Sequence, residues 1–305
     1  MVLLEPRAWE EAGEAAFVHL PDGGFAVASL NPHEHWPPRG QILSLKAVLD
    51  GVEEFHAGGR RYEVRPGRSL LIPERLPYAS RVVSGSIAML PLFYSRKAVR
   101  DVSAVSSGGS EEDLLGGDGE APEPSAVLLP RDPRLDAATR RIWRRIRNAA
   151  AAAGPLEKVR MGTTSGMALE SETLEALGIA LDSRKRLRRR LDRLGALRRS
   201  TREEIHLRLA RAEDRMRADP GSPLSLSGLA RTACMSPYHF LRRFSQFHGE
   251  PPHRFLVRIR MERARSLARA GRLGTAEIAR ACGYRSVPTF IRRYKKTWGE
   301  TPSGV

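Results

Sequence analysis

The sequence predicts a two-domain protein: an all-β N-terminal domain, a helical connector, and an all-α C-terminal domain in which a linker helix joins two helix-turn-helix units. Three observations predict this. Short apolar or alternating runs bounded by Gly, Pro, Asn and Asp fill the first hundred residues. Leucines at helical steps follow in the middle of the chain. Between Leu229 and Pro302 one helix-turn-helix pattern is written twice. The expected boundaries are 1–100 for the β domain, 101–130 for a flexible linker, 131–200 for the connector and 201–305 for the helical domain.

In the first domain the runs Phe25–Leu30, Ile42–Leu49, Tyr62–Val64, Ser69–Ile72, Ser80–Val83 and Ser86–Phe93 read as strands. The turns between them carry Asp22-Gly23-Gly24, Asp50-Gly51, Gly58-Gly59, Pro66-Gly67 and Ser84-Gly85. Trp36, Tyr62, Tyr78 and Tyr94 read either as lining of a small-molecule pocket or as ordinary core and rim. His33 and His35 read as loop residues or as contacts to a bound effector.

Ser103 to Ser125 is rich in Gly, Ser, Glu and Asp and reads as the linker. Asp132-Pro133 opens a helix with Leu135, Ile142 and Ile146 on one face, which Gly154-Pro155 closes. A second helix is expected from about Glu170 to Arg199, with Leu174, Leu177, Leu181, Leu187, Leu191 and Leu194 in a stripe. That stripe packs either on a partner helix or on the chain's own β domain. The run from Arg184 to Arg190 reads as a solvated face. A further helix spans Arg202 to Ala218, with Ile205, Leu209, Ala212 and Met216 inward.

The repeat follows. Leu229-Ala230-Arg231 answers to Ile278-Ala279-Arg280 at an offset of 49, and Phe240-Leu241-Arg242-Arg243-Phe244 answers to Phe290-Ile291-Arg292-Arg293-Tyr294 at an offset of 50. The extra residue falls in the turn. Ser225 and Ser236 are expected N-caps, Pro237 suits a first helical position, and Phe240, Phe244 and Phe247 make a core stripe. Pro252 to Ala270 reads as one helix between the units; its 19 residues at about 1.5 Å each cover roughly 28 Å. Successive major-groove faces of a duplex lie ~34 Å apart, so both second helices are spaced to enter adjacent grooves.

The residues expected on duplex DNA are Ser236, Tyr238, His239, Leu241, Arg242 and Arg243 in the first unit. In the second they are Ser286, Val287, Pro288, Thr289, Arg292, Arg293 and Lys296. Arg242 is the leading candidate for a base edge, because a guanidinium pairs with guanine through two parallel hydrogen bonds. Val287 and the Thr289 methyl suit apolar contact with thymine.

Charge concentrates in the same place. Of the formal net charge of +16, residues 200–305 contribute +12 from 21 basic and 9 acidic side chains. Such a domain attracts phosphates and binds them more weakly as salt rises. No run of 18 apolar residues and no N-terminal signal pattern is present, so a cytoplasmic chain without membrane partners is expected. Cys234 and Cys282, each beside one turn, are expected to be small buried side chains.

On the registered repeat, its Gly-Glu-x-Pro endings at Gly249 and Gly299 and its paired Arg-Arg blocks, the C-terminal hundred residues resemble the DNA-binding domain of the AraC/XylS family of bacterial transcription regulators. The resemblance implies seven helices; the chain stops three residues past Pro302, so the last is expected to be clipped or absent. It also implies promoter DNA and RNA polymerase as partners, activation as the commoner outcome, and connector helices that form a homodimer. The order His33-Glu34-His35, strand, Gly51, Gly58-Gly59 and Pro66 to Pro73 resembles a cupin, which in that family serves as effector sensor. Metal-binding cupins add an acid and a later His; here no acid follows His35 at that distance and Tyr78 takes the His position, so no metal or cofactor is expected, with His33, His35 and His56 the only candidate ligands. The expected protein is therefore not an enzyme. A metal-dependent cupin enzyme fused to a DNA-binding module, and a DNA-binding dimer without a ligand, are the alternatives.

Overall fold

The computed structural model describes residues 14–20, 24–30, 43–73, 76–105, 125–153, 163–195 and 197–302. They form two compact units, Met1–Leu187 and Arg188–Val305.

The first unit holds nine strands among the described residues: β1 Glu14–His19, β2 Phe25–Leu30, β3 Leu43–Asp50, β4 Glu53–Ala57, β5 Arg60–Val64, β6 Ser69–Ile72, β7 Tyr78–Val82, β8 Ala88–Tyr94 and β9 Val127–Leu128. They make two antiparallel sheets, one of six strands in the order β1-β2-β8-β3-β6-β9 and one of three in the order β5-β4-β7. Along β3 the alternation sends Leu43, Leu45, Ala47 and Leu49 into one apolar cluster, while Lys46 takes the opposite face.

That cluster is closed by helices α1 Arg96–Val105, α2 Pro133–Ala153 and the first part of α3 Thr163–Asp192. Leu135, Ile142 and Ile146 of α2 and Leu169, Leu177 and Leu181 of α3 are buried against the sheet residues. The first part of the leucine stripe, Leu174, Leu177 and Leu181, thus packs on the chain's own β unit. Asp132 joins the two helices: it accepts from the Arg134 amide at 2.9 Å, from Ser183 Oγ at 3.1 Å, and from the Arg186 guanidinium. Arg186, one member of the expected solvated run, is therefore engaged.

Several expectations change. The helix foreseen from Glu170 to Arg199 ends at Asp192, because Gly195 adopts φ 81° and the chain restarts as α4 Arg199–Ala218. Ser103, placed in the linker, belongs to α1; residues 106–124 of that linker lie outside the described residues, as do Gly154 and Pro155. Strand β4 was not foreseen, because Glu53 and Glu54 break its apolar pattern, yet both are buried. Glu54 is held by Arg81, His56 and Arg61 at 2.8, 2.9 and 3.1 Å.

The second unit contains six helices among the described residues: α4, α5 Leu226–Thr232, α6 Pro237–His248, α7 Pro252–Ala270, α8 Thr275–Ala281 and α9 Val287–Trp298. A seventh is not among them. The first helix-turn-helix is α5-α6 and the second is α8-α9, with α7 serving both. Phe244 packs edge-on to Phe255 near the start of α7, with ring centroids 5.2 Å apart. Met261, Ala264 and Ala268 farther along α7 share a core with Ile278, Phe290 and Tyr294.

The two turns coincide bond for bond. Met235 N donates to Ala230 O and Tyr284 N to Ala279 O, each at 2.9 Å, the six-residue closure of a left-handed helix end. The residue inside that closure has φ 52° at Cys234 and 77° at Gly283. Cys234 is exposed and only Cys282 is buried, so the expectation of two buried thiols fails for Cys234. Its side chain is turned out by the left-handed backbone, and the buried twin of Cys282 is Ala233.

The second turn is also closed from outside. A Cβ on Gly283 would sit 2.5 Å from the Gly221 carbonyl oxygen, while Arg260 donates to the Pro220 and Ser222 carbonyls at 2.7 and 3.1 Å. The two equivalent positions should therefore respond oppositely. Cys234→Gly relieves a left-handed side chain at the cost of a looser unfolded chain and should gain a few tenths to about 1 kcal/mol. Gly283→Ala incurs about 1–2 kcal/mol from its backbone angle, plus the clash. Urea unfolding followed by helix circular dichroism checks both; equal effects of one sign would contradict the equivalence.

Candidate nucleic-acid interface

Each second helix starts the same way. Ser236 Oγ accepts from the His239 amide at 3.3 Å and Ser286 Oγ from the Thr289 amide at 3.4 Å, with Pro237 or Pro288 in the first turn. Gly249 and Gly299 end the helices in left-handed backbone. Phe240, Phe244 and Phe247 of α6, and Phe290 and Tyr294 of α9, are buried. Helical spacing then turns Tyr238, Leu241 and Arg242 outward on α6, and Pro288, Thr289, Arg292 and Lys296 outward on α9. Tyr238 is 75% exposed, far beyond what a core aromatic tolerates.

The paired arginines are not equivalent. Arg242, Arg292 and Arg293 are exposed, and none of their guanidinium groups has a hydrogen-bond partner among the described residues. Arg243 instead turns along the flank of α6: it donates to Leu194 O at 3.1 Å, to Gln246 Oε1 at 3.2 Å and to His239 Nε2 at 3.1 Å. His239 accepts that bond, so its ring is neutral there. Burial and then the neighbouring Arg243, Arg242 and Arg208 charges hold its pKa below the usual histidine value. Val287 is half-buried and packs against the second unit's core. The structure thus gathers most of the expected residues on two exposed faces and withdraws Arg243 to a supporting place. The repeat itself separates Arg243 from Arg293, since the partners His239 and Gln246 are replaced by Thr289 and Lys296 at the 50-residue offset, and the Leu194 carbonyl adds a third partner to Arg243.

Of the residues expected around an effector, His33, His35 and Trp36 lie outside the described residues. Tyr62 is buried and its hydroxyl donates to Ala126 O at 3.0 Å. Tyr78 is buried too, beside two ionisable groups that the sequence did not single out. Lys46 Nζ lies 3.9 Å from the Phe93 ring centroid and 4.8 Å from that of Tyr78. Burial pulls the Lys46 pKa down to about 7 against the pull of Glu53, and pushes that of Glu53 up to about 7. Burial and the Glu53 charge also raise the Tyr78 hydroxyl. Among the described residues no three His, Cys, Asp or Glu side chains converge as a metal ion would require. No described helix is long and apolar enough to cross a membrane.

Two capped helices at right spacing, with exposed arginines over an aromatic core, define a helix-turn-helix protein. Residues 229–305 match the family model described as a helix-turn-helix domain. The HTH-type transcriptional regulator Rv1931c of Mycobacterium tuberculosis is 36% identical over 86 residues, 28% of this chain and 33% of that protein. The HTH-type transcriptional regulator ArgR of Pseudomonas aeruginosa is 29% identical over 97 residues, 32% of this chain and 30% of that one. Among solved structures, an AraC-type regulator from Chromobacterium violaceum is 30% identical with a TM-score of 0.31, over 32% of this chain and 81% of that chain. The chain spans about a third of the length of the curated relatives named here.

The Lys46–Glu53 pair gives the first unit a pH signature. A lysine whose folded pKa is lowered destabilises most below that value, and the cost is relieved as pH rises from about 7 toward 10.5. A glutamate whose folded pKa is raised destabilises increasingly as pH rises from 4.5 to about 7. Protection of β3 and β4 amides from hydrogen exchange should therefore be lowest near neutral pH, after correction for intrinsic exchange. The double substitution Lys46→Met with Glu53→Gln should flatten the minimum and raise stability there by up to about 1–4 kcal/mol. A minimum that persists in the double variant would refute this origin.

Proposed function

We propose that the chain is a sequence-specific DNA-binding transcription regulator that sets α6 and α9 into adjacent major grooves of promoter DNA. The observation that carries this reading is the pair of outward faces, Tyr238-Leu241-Arg242 and Thr289-Arg292-Lys296, held at the two ends of one 19-residue helix. Arg242 reads a base edge; Arg292 and Arg293 contact bases or phosphates in the second groove; Ser236 and Ser286 position the helix starts against the backbone. Arg243 acts by holding α6.

In this reading the β unit is the sensor, of cupin-like ancestry, and it takes a small-molecule effector that binds one arrangement of the chain better than another. RNA polymerase and a second copy of the chain are its protein partners, and the chain works in the cytoplasm without catalysis of its own. The family resemblance of the C-terminal domain supports these assignments. The divisions at residues 100, 130 and 200 are proposed as the limits of sensor, linker, connector and reader.

The test is to incubate the purified full-length chain with fragmented genomic DNA of its source at near-physiological salt and sequence what it retains. Enrichment of a few sites, each with two half-elements, is the expected result; uniform recovery would overturn it. On a selected site, Arg242→Ala should weaken binding by about 1–3 kcal/mol and relax preference at one base position. An unchanged preference would remove Arg242 from the readout.

A further inference from the structure

The segment 188–199, from the last turn of α3 to the first residue of α4, carries six arginines and one acid, Asp192. It is fixed to the first recognition helix within the same compact unit. Arg243 of α6 donates to the Leu194 carbonyl at 3.1 Å, Leu194 is buried, and the Arg190 guanidinium lies 5.9 Å from the centroid of the buried Phe247 ring. These contacts attach the segment to one flank of α6. Taking Phe240 as the inward direction, a step of about 100° per residue puts Tyr238 and Arg242 on the outer face. His239, Arg243 and Gln246 then lie on the flank beside Leu194, next to that outer face. When a helix lies in a major groove with its outer face toward the bases, its flanks run along the sugar-phosphate backbones.

The charges that remain are exposed. Asp192 is taken by Arg202 at 2.8 Å and Arg199 by Glu203 at 2.9 Å. Arg189, Arg193 and Arg198 are exposed and their guanidinium groups have no hydrogen-bond partner among the described residues. Three guanidinium groups of the segment tied to the α6 flank thus have no carboxylate partner among the described residues. The second unit has no counterpart, since Arg293 makes no such tie.

We propose that this arginine segment is a third contact with duplex DNA: Arg189, Arg193 and Arg198 engage the phosphodiester backbone flanking the half-element read by α6. It rests on the DNA-binding reading above and adds to it a contact that is indifferent to sequence. The occupant follows from charge complementarity and from continuity with the recognition face, and phosphate contacts position a protein without reading bases. Binding through the first half-element is then stronger, and more salt-sensitive, than binding through the second.

The experiment uses the full-length chain and a DNA site recovered from its own genome, with affinity measured between about 50 and 200 mM salt. Arg189→Gln with Arg198→Gln should keep the selected sequence and make the logarithmic salt dependence shallower by about two, near one for each phosphate lost. Arg189→Lys with Arg198→Lys keeps both charges and should restore the wild-type slope. Trimming the duplex beyond the first half-element should weaken the wild type and leave the glutamine variant nearly unchanged. An unchanged slope in a glutamine variant that still selects its site would overturn the inference alone, as would an altered sequence preference. A wild-type chain that selects no site would instead overturn the reading on which it stands.

Discussion

Helix α7 has to be one unbroken rod with two buried ends, and most of the second unit follows from that constraint. Its early residue Phe255 fills the core under α6, while Met261, Ala264 and Ala268 fill the core under α9. Pairs along its surface keep it straight and attached: Arg258 bridges Glu250 and Glu262 at 2.8 and 2.9 Å, and Arg265 reaches Glu300 at 3.4 Å while stacking on Trp298. Glu250 and Glu300 occupy equivalent places after their helices, so each unit uses the same acid to fasten itself to α7. The spacing of the two exposed faces is consequently a property of one helix and not of a flexible join.

The helix-turn-helix repeat was legible because its signals are local. Caps, prolines at helix starts, glycine stops and aromatic steps are all written within about a dozen residues. The left-handed place of Cys234 was missed: the two cysteines were paired with each other, whereas Cys234 aligns with Gly283 at the 49-residue offset and shares its left-handed backbone. What stayed hidden depends on distant partners. Arg243 owes part of its supporting place to Leu194, 49 residues away, although His239 and Gln246, which become Thr289 and Lys296 in the second unit, already set it apart from Arg293, and α3 ends early because a single Gly195 outweighs the leucine pattern on either side of it.

In the first unit the same division holds. The apolar strands announced themselves, whereas β4 carries two buried acids whose partners lie on β5 and β7. Lys46 drew no notice within the strand read over Ile42–Leu49, yet the opposite face of β3 is covered by Tyr78 and Phe93, and burial brings its pKa toward neutrality. Leu174, Leu177 and Leu181 of the expected stripe pack on a sheet whose residues, from Ala26 to Tyr94, lie far earlier in the chain.

The central claim is that one chain reads two half-elements at a separation fixed by α7. It is tested most directly by measuring affinity for a selected site and for versions with base pairs inserted between its half-elements. Inserting about five base pairs rotates one half-element to the opposite side of the duplex, since a turn takes roughly ten. The account predicts that this weakens binding as much as erasing the half-element outright, and that a full-turn insertion fails to restore it because a single helix cannot lengthen. Affinity that is indifferent to the insertion, or that returns after a full turn, would contradict it.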